Sequence, residues 1–205
     1  MIAELGRWIS TVRDLLVGAS AATAAYFAYL GVDAWRRELK GRSEYQLAKD
    51  VLKAVYKVRE AFNIVRNPVT FSYEYPEEMR GPHGNLEHAH DYEGTEHVYQ
   101  KRWEYMARAF SELEDLHLIA QVEWGPQHQD VIRKLRGCRG ELQIAIQDML
   151  QQKKKPRALS KREMSREERS VLYDVGRDSK FGQFTREIDE AIADFEKWLR
   201  PKITH

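Results

Sequence analysis

The chain has 205 residues, enough for one ordinary domain and an appendage. Charged residues make up 32%, and Lys+Arg 33 against Asp+Glu 32 leave almost no net charge, so global charge gives no argument for nucleic acid. A single cysteine, Cys138, excludes an internal disulfide and a cysteine-rich zinc site, and fits a reducing compartment.

The first element is the stretch DLLVGASAATAAYFAYLGVDAWRR. Between Asp14 and Asp33 no residue carries a formal charge. A helix over 15–32 is about 27 Å long, just short of a hydrocarbon core of about 30 Å. Leu15, Leu16, Val17, Phe27, Leu30 and Val32 together favour insertion by roughly 2 to 4 kcal/mol before the small polar residues are charged against them. Trp8 and Trp35 bracket the run at aromatic-belt positions. Arg36, Arg37, Lys40 and Arg42 follow it, against Arg7, Arg13 and the amino terminus before it. The expectation is an N-terminal membrane anchor over 1–34, single-pass in the inner (cytoplasmic) membrane, with the C-terminal part in the cytoplasm. Two other readings exist. Ala22-Thr23-Ala24 matches a cleavage signal, but the apolar run LLVGAS before it is short. An Ala-rich helix near the minimum spanning length also suits a buried soluble helix. Gly18, Ala22 and Ala25 belong to a set of small residues that permits close packing of a second membrane helix, and so a homo-oligomer.

The next helix carries Leu47, Val51, Val55, Val58, Phe62 and Val65 on one stripe and stops at Asn67-Pro68. Only Gly31 and Gly41 offer hinges between it and the anchor. A second helix is expected from Thr95, with that side chain as its cap. Tyr99, Trp103, Met106, Phe110, Leu113, His117, Ala120 and Trp124 alternate spacings of four and three, a coiled-coil-like seam. WGPQ turns the chain. The third helix repeats the pattern through Val131, Leu135, Cys138, Leu142, Ala145 and Met149, with Gly137 and Gly140 weakening it. Ser165 and Glu168 form a capping box for a short helix. The last carries Phe181, Phe184, Ile188, Ala191, Phe195 and Leu199 and is expected to end at Pro201. The sum is an all-α chain: an antiparallel bundle of about four helices over 35–200, with long loops near 67–94 and 153–179.

The stretch WRRELKGRSEYQLAKDVLKAVYKVREAFNIVRNP resembles the membrane-proximal segment of small bacterial proteins with one N-terminal span and a helical cytosolic part. The resemblance covers that stretch and the uncharged run before it. It implies the same topology and carries no activity.

In an up-down topology both long loops lie at one end of the bundle, on the order of 40–50 Å from the membrane. The first holds GPHGNLEHAHDYEGTEH. His83, His88, His90 and His97 are four of the seven histidines and stand among carboxylates including Asp91. Imidazole with carboxylate suits a divalent transition metal, and His88-x-His90 places two ligands on one side of an extended strand. A solvated loop accounts for the same composition. The second loop holds Lys153, Lys154, Lys155, Arg157, Lys161 and Arg162, a basic surface without interleaved aromatics for stacking bases. The acids of the first loop offer it a neutralising partner, and this argues against nucleic acid. His117 and Cys138 fall on seams and read as core residues.

No catalytic signature, nucleotide loop or Rossmann fingerprint is present. The leading reading is therefore a membrane-anchored helical interaction, scaffold or regulatory module. Its partners would be the lipid bilayer and a second copy or another protein. The alternatives are a metal-dependent hydrolase built on the histidine-rich loop 83–97, and a small membrane-acting effector that oligomerises through its Ala-rich span.

Overall fold

The structure is a computed structural model that describes residues 2–126, 129–154 and 164–204, with side chains from Leu16 onward except that of Gln129. The described residues are all-helical: α1 (Ile2–Val65), α2 (Asp91–Trp124), α3 (Gln129–Lys154), α4 (Arg166–Leu172) and α5 (Gln183–Ile203). Three short 3-10 turns at Ser72–Glu74, Glu77–Met79 and His88–His90 lie between α1 and α2. The chain divides into two compact units, Met1–Gln46 and Leu47–His205.

The second unit is a helical bundle whose seams are those of the apolar periodicity. Val51, Val55, Val58, Phe62 and Val65 of α1 are buried, as are Met106, Phe110, Leu113 and Ala120 of α2. Leu135, Leu142 and Met149 of α3 and Phe184, Ile188, Ala191, Phe195 and Leu199 of α5 complete the core. Each large side chain taken from water contributes about 1.5 to 3 kcal/mol, and this burial drives the helices together. Neighbours run antiparallel. Lys57 reaches Glu112 at 2.7 Å while Phe62 meets Phe110 edge-on. Arg136 pairs with Glu114, and Lys153 with Asp91, both at 2.8 to 2.9 Å. Lys134 pairs with Asp194, and Tyr56 donates to Glu196.

Several local expectations change. α2 begins at Asp91, and the Thr95 hydroxyl donates back to the Asp91 carbonyl at 2.7 Å instead of capping the helix. At two places in α3 the deeper residue is one position beyond the expected seam: Ile132 and Ile146 are buried, Val131 and Ala145 only partly. A straight α-helix drifts relative to a 3.5-residue repeat, and the larger isoleucines take the inward positions. α5 continues past Pro201 to Ile203. Proline removes its own N–H and crowds the carbonyl four residues before it, and with only two helical residues following there is little helix left to disrupt. The capping box forms as expected: Ser165 Oγ accepts from Glu168 N at 3.1 Å, and Ser165 N donates to the Glu168 carboxylate at 2.8 Å.

In the first unit α1 is helical through Gly31 and Gly41. Among the described residues no helix is long and apolar enough to cross a membrane, so the expected transmembrane helix over 1–34 is not supported on that count. The uncharged run mixes its large apolar residues with alanine, glycine, serine, threonine and tyrosine, and Leu15, which opens it, lies outside the described side chains.

Candidate functional site

The histidine-rich connection is held by one arginine. Arg102 of α2, only 6% exposed, donates to Glu74 at 2.7 and 3.0 Å and to the carbonyls of Asn67 (2.7 Å) and Val69 (2.8 Å). Burial opposes ionisation of Glu74, but the Arg102 hydrogen bonds, the Phe71 N–H and the Arg102 charge together hold its carboxyl below the usual range. Downstream, Arg80 and Leu86 form an isolated antiparallel bridge across a turn with Gly84 at φ 75°. Leu86 then packs against Gly94, where a Cβ would stand 2.3 Å from Leu86 Cδ1. That glycine is required by close approach.

This frame separates the candidate metal ligands. His88 and His90 lie in a 3-10 turn, where residues two apart point to different sides, whereas the two-ligand expectation assumed an extended strand. His83 is in the preceding turn and His97 is on α2. Asp91 is engaged by Lys153 at 2.9 Å, and Glu96 accepts from the Tyr92 hydroxyl at 2.8 Å. Among the described residues no three His, Cys, Asp or Glu side chains are grouped to hold a metal ion.

Of the basic surface, Lys153 bonds to both Asp91 and Thr95, and the Lys154 ammonium sits 5.5 Å from the Tyr92 ring centre. The start of α2 and the end of α3 therefore meet and exchange charge. Lys155, Arg157, Lys161 and Arg162 lie outside the described residues.

A second buried arginine ties the other irregular segment down. Arg66, 2% exposed, donates to the carbonyls of Ser170, Val171 and Tyr173 at 2.8, 2.9 and 3.2 Å and to Thr185 Oγ1 at 3.0 Å. Its guanidinium lies 4.9 Å from the Phe184 ring centre. It thus caps the C-terminal carbonyls of α4. Burial lowers its pKa, which the nearby Asp174 charge opposes. Neither arginine stood out in the sequence, where each is one charge among many beside an apolar seam.

His117 is a core residue, edge-on to Phe195 and Trp198 at 6.3 and 5.9 Å, with Gln121 Nε2 3.3 Å from its Nδ1. The Cys138 thiol is pushed up to about 11 by burial first and then by the charges of Glu187 and Glu141. It is therefore a protonated, weakly nucleophilic group at neutral pH. Gly18, Ala22 and Ala25 stand on exposed helix, and a Cβ at Gly18 would meet nothing within 4 Å.

Two grooves flank α3. One, of about 520 Å³, lies between α3 and α4 and includes Gly137, Gly140, Ile144, Met149 and Met164 in its lining. The other, of about 480 Å³, lies between α2 and α3 beside Tyr99, Trp103, Ile146 and Leu150. The first was not legible from periodicity, because Gly137 and Gly140 carry no side chain to count.

Comparison of the chain with protein-family models, with curated proteins and with solved structures finds no match.

Proposed function

We propose that the chain is a membrane-anchored helical interaction module: residues 15–32 enter the bilayer, and the bundle presents its surfaces to protein partners. The observation that carries this reading is the exposure of large apolar side chains in the first unit. Leu16, Val17, Tyr26, Phe27, Tyr29 and Leu30 are 42 to 71% exposed. At 100° per residue these six, with Val32, cover the whole circumference of the helix. An amphipathic helix seeking one partner has a polar back; a helix apolar all round belongs in lipid or in a core.

Polar groups in the run support the same reading. Ser20 Oγ donates to the Val17 carbonyl at 2.9 Å and Thr23 Oγ1 to the Ala19 carbonyl at 2.8 Å. Both hydroxyls are thereby satisfied within the helix, which removes most of their cost in hydrocarbon. The insertion is marginal, in keeping with a run too dilute to count as a span among the described residues. Trp8 and Trp35 at its two ends and the basic cluster Arg36, Arg37, Lys40 and Arg42 favour a bundle on the cytoplasmic side. Gly18, Ala22 and Ala25 share a face and let the helix of a second copy approach closely.

The test is fractionation of the full chain from cells. The expected result is a membrane pellet that resists alkaline carbonate and is released by detergent. The double variant T23K/A24K, at the middle of the run, adds about 5 to 7 kcal/mol against insertion, more than the roughly 2 to 4 kcal/mol that favours it, and so moves the chain to the supernatant. Release of the unsubstituted chain by carbonate alone defeats the anchor.

A further inference from the structure

The groove between α3 and α4 has three features that the bundle's own packing leaves unexplained. First, Gly137 and Gly140 sit in the middle of α3, and a Cβ at either would meet nothing within 4 Å. Glycine at such helix positions costs roughly 0.5 to 1 kcal/mol relative to alanine, and nothing in the fold requires it there. The contrast is Gly94, where Leu86 leaves no room. Second, Ile144 is 61% exposed beside the groove, with Met149 and Met164 also lining it. Methionine adapts its shape to varied apolar partners. Third, the charge around it is acidic. Glu141, Asp148 and Glu168 line this groove with Arg136, and Glu141 also lines the adjoining α4–α5 cleft with Glu167, Glu187 and Lys180.

Glu141 and Glu187 repel one another: burial first, and then the Glu187 charge, raises the Glu141 pKa. Of the bases on this part of α3, Arg136 is engaged by Glu114 at 2.8 Å and Arg139 lies over the Phe110 ring at 4.7 Å. A cation arriving beside Glu141 in the groove would offset that repulsion. The lining residues of α3 run from Arg136 to Gln152, about 24 Å along the helix axis. That length fits four turns of a docked helix better than a compact small molecule.

We propose that the α3–α4 groove binds a cationic amphipathic helix of a partner protein, with its apolar stripe along Ile144, Met149 and Met164 over the two glycines and its basic edge on Glu141 and Asp148. This names the partner of the interaction module; it rests on the bundle acting as an interaction surface and is independent of the anchor. A chain released from membranes by carbonate can still bind such a helix, so the two failures are separable.

The experiment uses the full chain in mild nonionic detergent and a fluorescent leucine–lysine amphipathic peptide of about sixteen residues, with binding read by anisotropy. The expected result is saturable binding that G140L weakens by about tenfold or more, while the thermal midpoint stays or rises because leucine is the better helix former. E141Q/D148N weakens it by about threefold and flattens its salt dependence. Three results overturn the proposal. One is a G140L affinity within about twofold of the unsubstituted chain. Another is equal binding of a leucine–glutamate peptide with the same apolar stripe. The last is a gain of about tenfold when Lys155, Arg157, Lys161 and Arg162 are all changed to glutamine, which gives the groove to the chain's own basic connection.

Discussion

Two stretches of the same helix treat apolar side chains in opposite ways. In α1, Ala48, Val51, Val55, Val58 and Phe62 are at most 1% exposed and belong to the closed core. Leu16, Val17, Phe27 and Trp35 are 60 to 66% exposed. Helix formation is shared, so it cannot be what distinguishes them. The difference is angular. The second stretch concentrates its apolar residues on the faces that meet neighbours, and the first spreads them around the axis. A stripe is satisfied by helices of the same chain, whereas an all-round apolar surface calls for a surrounding medium or several partners.

The sharpest way to break this comparison is to truncate one aromatic in each stretch. Phe62→Ala removes a ring that is 1% exposed and meets Phe110 at 6.1 Å, and should cost about 3 to 5 kcal/mol in chemical denaturation of the bundle. Phe27→Ala, followed by the same transition, should change it by less than about 0.5 kcal/mol. Equal losses would mean that the first unit is part of the same cooperative fold.

Arg102→Met tests whether the bundle's irregular parts are held by charge as firmly as its seams are by burial. Glu74, 17% exposed, would be left unpaired together with two carbonyls, at an expected cost of about 3 to 5 kcal/mol. The pH dependence follows from the direction of the Glu74 shift. Its folded pKa lies below its unfolded value, so the stabilisation is complete above the ordinary carboxylate range near about 4.3 and is lost as pH falls through the folded value. The substitution should flatten the acid limb of the stability–pH curve. An unchanged limb would show that the pair contributes nothing.

Gly94→Ala is expected to be milder, about 1 to 2 kcal/mol, because Leu86 can swing away at the expense of its own packing. Faster amide exchange over 80–90 than in the unsubstituted chain would accompany it. Ser165→Ala should have the smallest effect, about 1 kcal/mol on the thermal transition, through loss of the bond to Glu168 N at 3.1 Å.

Much of the bundle was legible because a helix facing a core must repeat its apolar residues near every three and a half positions. Tyr99, Met106, Phe110, Leu113, His117 and Ala120 are all buried, as that spacing requires. The capping box at Ser165 was equally legible, since it joins residues three apart. The local shape of the histidine-rich connection was not legible: His88-x-His90 suits an extended strand as well as the 3-10 turn it forms, where residues two apart point to different sides.

Local spacing and composition by themselves determined the all-α class, the seams, the helix stops at Asn67 and Gly125, and the uncharged run. Only the tertiary structure decided that Arg66 holds the end of α4 and Arg102 the segment after α1, since their partners lie 104 to 119 and 28 to 35 residues away in the chain. It likewise decided that Gly137 and Gly140 lie beside an open groove while Gly94 is pressed against Leu86. The physical reason is that a period records which side of a helix is apolar, whereas a long-range hydrogen bond or an empty space depends on which backbone is brought opposite.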